Sequence, residues 1–178
     1  SDLGSGDGSG ERIMNPVTEI SLDEDSFMEM ETVQIRGVDS TKRENRAHLK
    51  AGAKLVVMER LMTHGKQKAE SWFDVQLDGE DSSANIVSRS VARDESWQLF
   101  QSHISGNTRC SGHTECDAII MENAKISAVP QLTANHVDAA LIHEAAIGKI
   151  AGEQLIKLMT LGLTEAEAEE QIISGFLK

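Results

Sequence analysis

The stretch SWFDVQLD, residues 71–78, constrains this chain more than any other. Phe73, Val75 and Leu77 alternate with Trp72, Asp74, Gln76 and Asp78. A period of two with one polar face is a half-buried β-strand, because successive side chains leave an extended backbone on opposite sides. SFMEMETVQI shows the same pattern earlier, with Met28, Met30 and Thr32 set against Glu29, Glu31 and Val33. Further short runs follow at NIVSRSV, WQLFQSHI, DAIIM and AKISAV, separated by the turn-forming stretches LDGED, ISGNT and MENAK. Val75, Val87 and Leu99 stand 12 apart, each in its own apolar run. Evenly spaced short strands suit a sandwich, a barrel or a solenoid. No sequence repeat marks the solenoid outright. Two-residue hairpin turns are scarce, Asp78-Gly79 being the main one, and a parallel solenoid needs corners rather than hairpins. Aromatic residues make up only 3% and there is no Tyr, which suits a thin, layered aliphatic core better than a wide one.

The texture changes after about Gly148. GEQLIKLMTLG sets Leu155, Ile156, Leu158 and Met159 at helical spacing, and Gly162 suits a C-terminal cap. Thr164 followed by Glu167 is a capping box: the hydroxyl accepts from the amide three residues on, and the carboxylate reaches back to the cap amide. Ile172, Ile173 and Phe176 form an apolar stripe behind it. The expected organisation is a β body over residues 1–148 and a small helical subdomain over 149–178. The glycine-rich opening reads as a loop, and a chain that begins at Ser1 rather than Met is expected to be part of a longer protein.

The formal net charge of −12 argues against nucleic acid and anionic lipid as partners, since both require clustered Lys and Arg. No apolar run approaches the ~20 residues that cross a bilayer. Two cysteines six apart, with no CxxC pair, make no disulfide framework; they leave room for one local disulfide, but free thiols in a reducing cytoplasm are the simpler reading. There is no nucleophile elbow, phosphate loop or dinucleotide fingerprint; GSGDGSG lacks the Lys and the following helix that would cradle a phosphate.

The chemistry-bearing residues are few. Cys116 precedes an apolar run and is either a small core residue or a soft metal ligand and sulfur acceptor. Cys110, beside Arg109, would have its thiolate favoured and is expected to be an exposed bystander or a second ligand. His143 and Glu144 are consecutive, so on a strand they point to opposite faces; a surface Glu and a satisfied core His are the plain alternative to ligation. His103, His113 and His136 lack the i, i+4 pairing of a helical zinc site.

ECDAIIM, Pro130, LIHEAAIGKI and GEQLIKLMTLGLTEAEAEEQIISGFL, with ANIVSRSVARDESWQLFQSHI upstream, resemble the C-terminal part of the SufB and SufD proteins, scaffold subunits of iron–sulfur cluster assembly. The resemblance covers most of residues 70–178 and is closer to SufB. It implies an all-β fold, a right-handed parallel β-helix, with a small C-terminal helical subdomain. It implies a scaffold rather than an enzyme, carrying a transient Fe–S cluster. Cys116 would be the acceptor of persulfide sulfur and a ligand, and His143 and Glu144 would also serve the metal. The implied partners are a SufC-type ABC ATPase at the helical region, a SufD-like subunit or a second copy at the β-helix, and a sulfur donor protein. The family complex is also associated with flavin, which no residue here places. A coil of about 24 residues would set Cys116 and His143 on neighbouring coils about 4.8 Å apart. An ordinary cluster takes four ligands, so a second subunit is expected to supply the rest, docking on strand edges near residues 125–147. The competing readings are a β-helix enzyme acting on carbohydrate or acyl groups, with a groove of acidic or aromatic residues, and a structural module with an inert, buried Cys116.

Overall fold

The computed structural model describes residues 10–35 and 38–178. The glycine-rich opening therefore lies outside the described residues, apart from Gly10. Eleven strands precede two helices: β1 (Ile13–Met14), β2 (Val17–Leu22), β3 (Phe27–Gln34), β4 (Ser40–Leu49), β5 (Lys54–Thr63), β6 (Lys68–Leu77), β7 (Ser82–Ala92), β8 (Trp97–Gly106), β9 (Cys110–Ile120), β10 (Lys125–Ala134), β11 (Ala139–Gly148), α1 (Gly152–Thr160) and α2 (Glu165–Phe176). Consecutive strands alternate between two parallel sheets. One runs β1-β4-β6-β8-β10, with β2 also on β4; the other runs β11-β9-β7-β5-β3. This is the expected parallel β-helix of about five turns with closing helices.

One coil is longer than the 12-residue spacing suggested. Ser82 pairs with Cys110, 28 residues on, and Cys110 with Ala139, 29 on. From β4 onward each half-coil is a strand of ten or eleven residues plus a short corner. The spacing misled because it mixed faces: Val75 points into the core, whereas Val87 and Leu99 sit on outward positions of β7 and β8. Asp78-Gly79 is accordingly a corner and not a hairpin. There is no room for a side chain at Gly79, where an added Cβ would lie 1.9 Å from the Ala51 amide nitrogen of the preceding coil.

The corners stack as regularly as the strands. Asp25, Gly52 and Asp81 adopt left-handed backbone at one corner, and Gly65, Asp94 and Glu122 at the other. Asp and Gly tolerate that conformation best. Each such corner is tied to the next coil, as in Asp25 N–H to Ala51 O at 2.9 Å and Gly52 N–H to Glu80 O at 2.9 Å. Between the sheets, Leu49, Leu55, Leu77, Ile86 and Ile104 fill the interior, with Phe73 and Phe100 stacked tilted at 5.8 Å.

The capping box forms as the sequence requires: Glu167 N–H donates to Thr164 Oγ1 at 3.2 Å, and Thr164 N–H to Glu167 Oε2 at 2.8 Å. α2 buries Ala168 and Ile173, the latter against Val91 and Met121 at one corner of the β-helix. Arg93 Nη1 donates to Glu170 Oε1 at 2.8 Å across the same junction. α1 buries no residue and leaves Ile156, Met159 and Leu161 exposed. No helix among the described residues is long and apolar enough to cross a membrane.

Candidate functional site

β10 and β11 end their sheets, so the last coil offers unpaired backbone along its outer edge. Its inward-facing residues Ala128, Ala139 and Leu141 pack on the core beneath, while Val129 and Ile142 are about half exposed. The candidate site spans this coil and the one below it.

Cys116 occupies the middle of β9 and points inward, with 1% of its surface exposed. Ser88 is its neighbour in register on β7, and Glu59 is the neighbour of Ser88 on β5. One inward column therefore reads Glu59, Ser88, Cys116. Glu59 is a fully enclosed acid between Val57 and Leu61. Ser71, from the facing sheet, donates to Glu59 Oε2 at 2.7 Å, and Ser88 donates to Oε1 at 3.0 Å. A cavity of about 10 Å³ touches Glu59, Ser71, Ser88, Phe100 and Cys116, space for about one water. Burial pushes the Glu59 carboxyl up, opposed by the Ser71 and Ser88 hydroxyls and by Arg43. Burial, reinforced by Glu59 and Asp117, pushes the Cys116 thiol up to about 12. The resting sulfur is therefore the protonated thiol.

His143 faces the same interior from β11. Its register neighbour is Thr114, and Nδ1 lies 2.6 Å from Thr114 Oγ1. Burial and the neighbouring His113 hold the imidazole below its ordinary range, opposed by Glu144, so the ring is neutral at pH 7. With Nδ1 engaged, Nε2 is the nitrogen left for a ligand. Cys116 pairs with Ala145, two residues beyond His143. At ordinary strand rise and spacing, the Cα atoms of Cys116 and His143 stand about 8 Å apart.

Glu144 points the other way. On the outer face it lies in register with Glu115, and its Oε2 is 3.2 Å from His113 Nε2. The structure thus brings Cys116 and His143 onto one face and sets Glu144 in a separate cluster with His113 and Glu115. The neighbouring Asp117 raises the Glu115 carboxyl, with burial and Glu144 adding to it and His113 opposing. Cys110 departs from expectation. It is buried, burial raises its thiol, and Arg109 is held by two hydrogen bonds to Asp81, at 2.9 and 3.1 Å, rather than serving the sulfur.

Sequence reading missed Glu59, Ser71, Ser88, Thr114, His113 and Glu115. A signal for Glu59 was present: in KLVVMERLMT it occupies the parity of Leu55, Val57 and Leu61, where an apolar residue belongs. The others needed the register between coils.

Fold and site together define a parallel β-helix protein with an inward thiol and imidazole at one end. Residues 8–176 match the family model of the SUF system FeS cluster assembly SufBD core domain, and the chain belongs to that family. It is similar to an iron-sulfur cluster assembly SufBD family protein of Methanothermobacter thermautotrophicus, with 41% identity over 105 residues, 58% of this chain and 26% of that protein. Such proteins of Archaeoglobus fulgidus (39% over 104 residues, 57% and 28%) and Pyrococcus horikoshii (41% over 102 residues, 57% and 31%) are also similar. The matches span about a quarter to a third of these relatives' lengths.

The raised thiol has a consequence for stability. The folded chain holds the Cys116 proton more tightly than the unfolded one, so this contribution is complete below about pH 9 and is lost as pH rises toward 12. The stability difference between wild type and Cys116→Ala, measured by urea unfolding, is expected to shrink steadily from pH 9 to pH 11. A difference independent of pH over that range would contradict the raised thiol.

Proposed function

We propose that this chain is a scaffold for iron–sulfur cluster assembly in which Cys116 accepts sulfur and, with His143, holds iron at the bare end of the β-helix. Membership of the SufBD family supports the general role. The observation that carries the specific reading is the shared inward face of Cys116, one coil beneath the unpaired edge, and His143, on the edge strand β11 itself. A sulfur and a neutral imidazole suit iron. In the transfer, the Cys116 thiolate would attack the outer sulfur of a donor persulfide, forming a new S–S bond as the donor thiol leaves. Because the resting thiol is protonated and covered, this step requires the last coil to shift or the sulfur to arrive through the interior. Two ligands leave a cluster incomplete. A second β-helix, SufD-like or a further copy, docking on β10 and β11 would supply the others. All three of Cys116, His143 and Glu144 match the SufB pattern, which favours the SufB-like role. Glu144, from the outer face, serves iron without joining Cys116.

The burial of Cys116 also favours a second reading, in which it is an inert core residue. Reconstitution with iron and sulfide separates the two. Cys116→Ser is expected to lower the cluster formed by tenfold or more, whereas Cys110→Ser retains most of it, with both variants folded by circular dichroism. Equal, mild losses would support the inert thiol.

The helical pair is proposed as the subdomain, residues 149–178, that docks a SufC-type ABC ATPase; ATP hydrolysis would belong to that partner. α2 is committed to the β-helix through Ile173, so deleting it would uncover Val91 and Met121. α1 is the free face, through Ile156, Met159 and Leu161. Ile156→Asp and Leu161→Asp are expected to weaken binding of the ATPase at least tenfold while leaving the unfolding free energy within about 0.5 kcal/mol of wild type, as exposed substitutions do. Unchanged binding would move the contact elsewhere.

A further inference from the structure

On the outer face of the β11-β9-β7-β5-β3 sheet, His113, Glu115 and Glu144 converge. A nitrogen of His113 and one oxygen of each carboxylate all lie within 4.8 Å of one another. The donors of a first-row divalent ion with bonds of about 2.1 Å stand about 3.4 Å apart in a tetrahedral shell, a contraction that side-chain rotation supplies. Three features single this cluster out from ordinary surface acids. Glu115 and Glu144 are directly opposed in register on β9 and β11, and like charges so placed repel. Among the described residues, neither carboxylate pairs with a Lys or Arg, and His113 is the one basic side chain beside them. Asn85 Oδ1 lies 2.8 Å from His113 Nδ1. With Nδ1 donating there, Nε2 presents its lone pair on the side of Glu144 Oε2, 3.2 Å away, as a metal ligand would. A second-shell oxygen that fixes the tautomer and aims the other nitrogen is the usual support of a metal-ligating histidine.

We propose that His113 Nε2, Glu115 and Glu144 form a divalent metal site, oriented by Asn85 and lying on the opposite side of the strands from Cys116. Mixed imidazole and carboxylate donors with open positions suit ferrous iron and its first-row neighbours. That the ion is iron awaiting incorporation rests on the assembly reading above; that the site binds metal does not.

Anaerobic titration with Co²⁺ tests it, because cobalt reports both coordination and ligand type. This site is expected to take up one Co²⁺ with d–d absorption that carries no thiolate charge transfer. His113→Ala, Glu115→Gln and Glu144→Gln are each expected to weaken binding at least tenfold. Asn85→Ala is expected to weaken it less, and Cys116→Ser to leave it unchanged. Binding indifferent to all three ligand variants would overturn the site, as would no Co²⁺ uptake at millimolar concentration. Loss of cluster reconstitution in Cys116→Ser is a separate readout, so the site and the assembly role can fail independently.

Discussion

The parallel register between coils is the constraint on which everything else depends. Every strand from β4 to β9 is hydrogen-bonded on both sides, by a partner about 28 residues away in each direction. Parallel pairing at this separation forces residues a coil apart into columns, inward with inward and outward with outward. A one-residue slip would turn Phe73, Val75 and Leu77 to solvent and carry Asp74 and Gln76 into the core. The left-handed corners hold the register at both sides of the coil: Asp25, Gly52 and Asp81 repeat one conformation at one corner and Gly65, Asp94 and Glu122 at the other, and Gly79 fits only against the backbone of Lys50 and Ala51.

The same register assembles the site from residues that are remote in sequence. Glu59, Ser88 and Cys116 become one column, and Thr114 with His143 the next. A buried carboxyl among aliphatic residues is costly unless its oxygens are satisfied. Here Ser71 and Ser88 satisfy them from opposite sheets, which ties the two layers together through a polar contact. The cost reaches the sulfur as well, since Glu59 adds to the burial that keeps the Cys116 proton in place. A thiol so protected is stored rather than reactive, and its use would depend on what happens at the uncapped last coil.

Much of the fold was legible in short-range pattern. Alternation at 71–78 identified β6 and its core face, and Thr164 with Glu167 identified the start of α2. The coil length was not legible, because outward Val87 and Leu99 look as apolar as inward Val75. The separation of Glu144 from His143 followed from strand parity alone, and the structure agrees. Its association with His113 and Glu115 could not be read, because pairing across 31 residues requires the register. Cys110 was misjudged because Arg109, adjacent in sequence, is engaged by Asp81 from the coil before.

The central claim is that Cys116, and not Cys110, receives sulfur. Incubation with a persulfide-bearing sulfur donor, followed by alkylation and mass analysis of the cysteine-containing peptides, addresses it directly. One added sulfur atom on the peptide bearing Cys116, absent from the one bearing Cys110, is the predicted result. Sulfur on Cys110 alone, or on neither cysteine while the donor is discharged, would contradict the account.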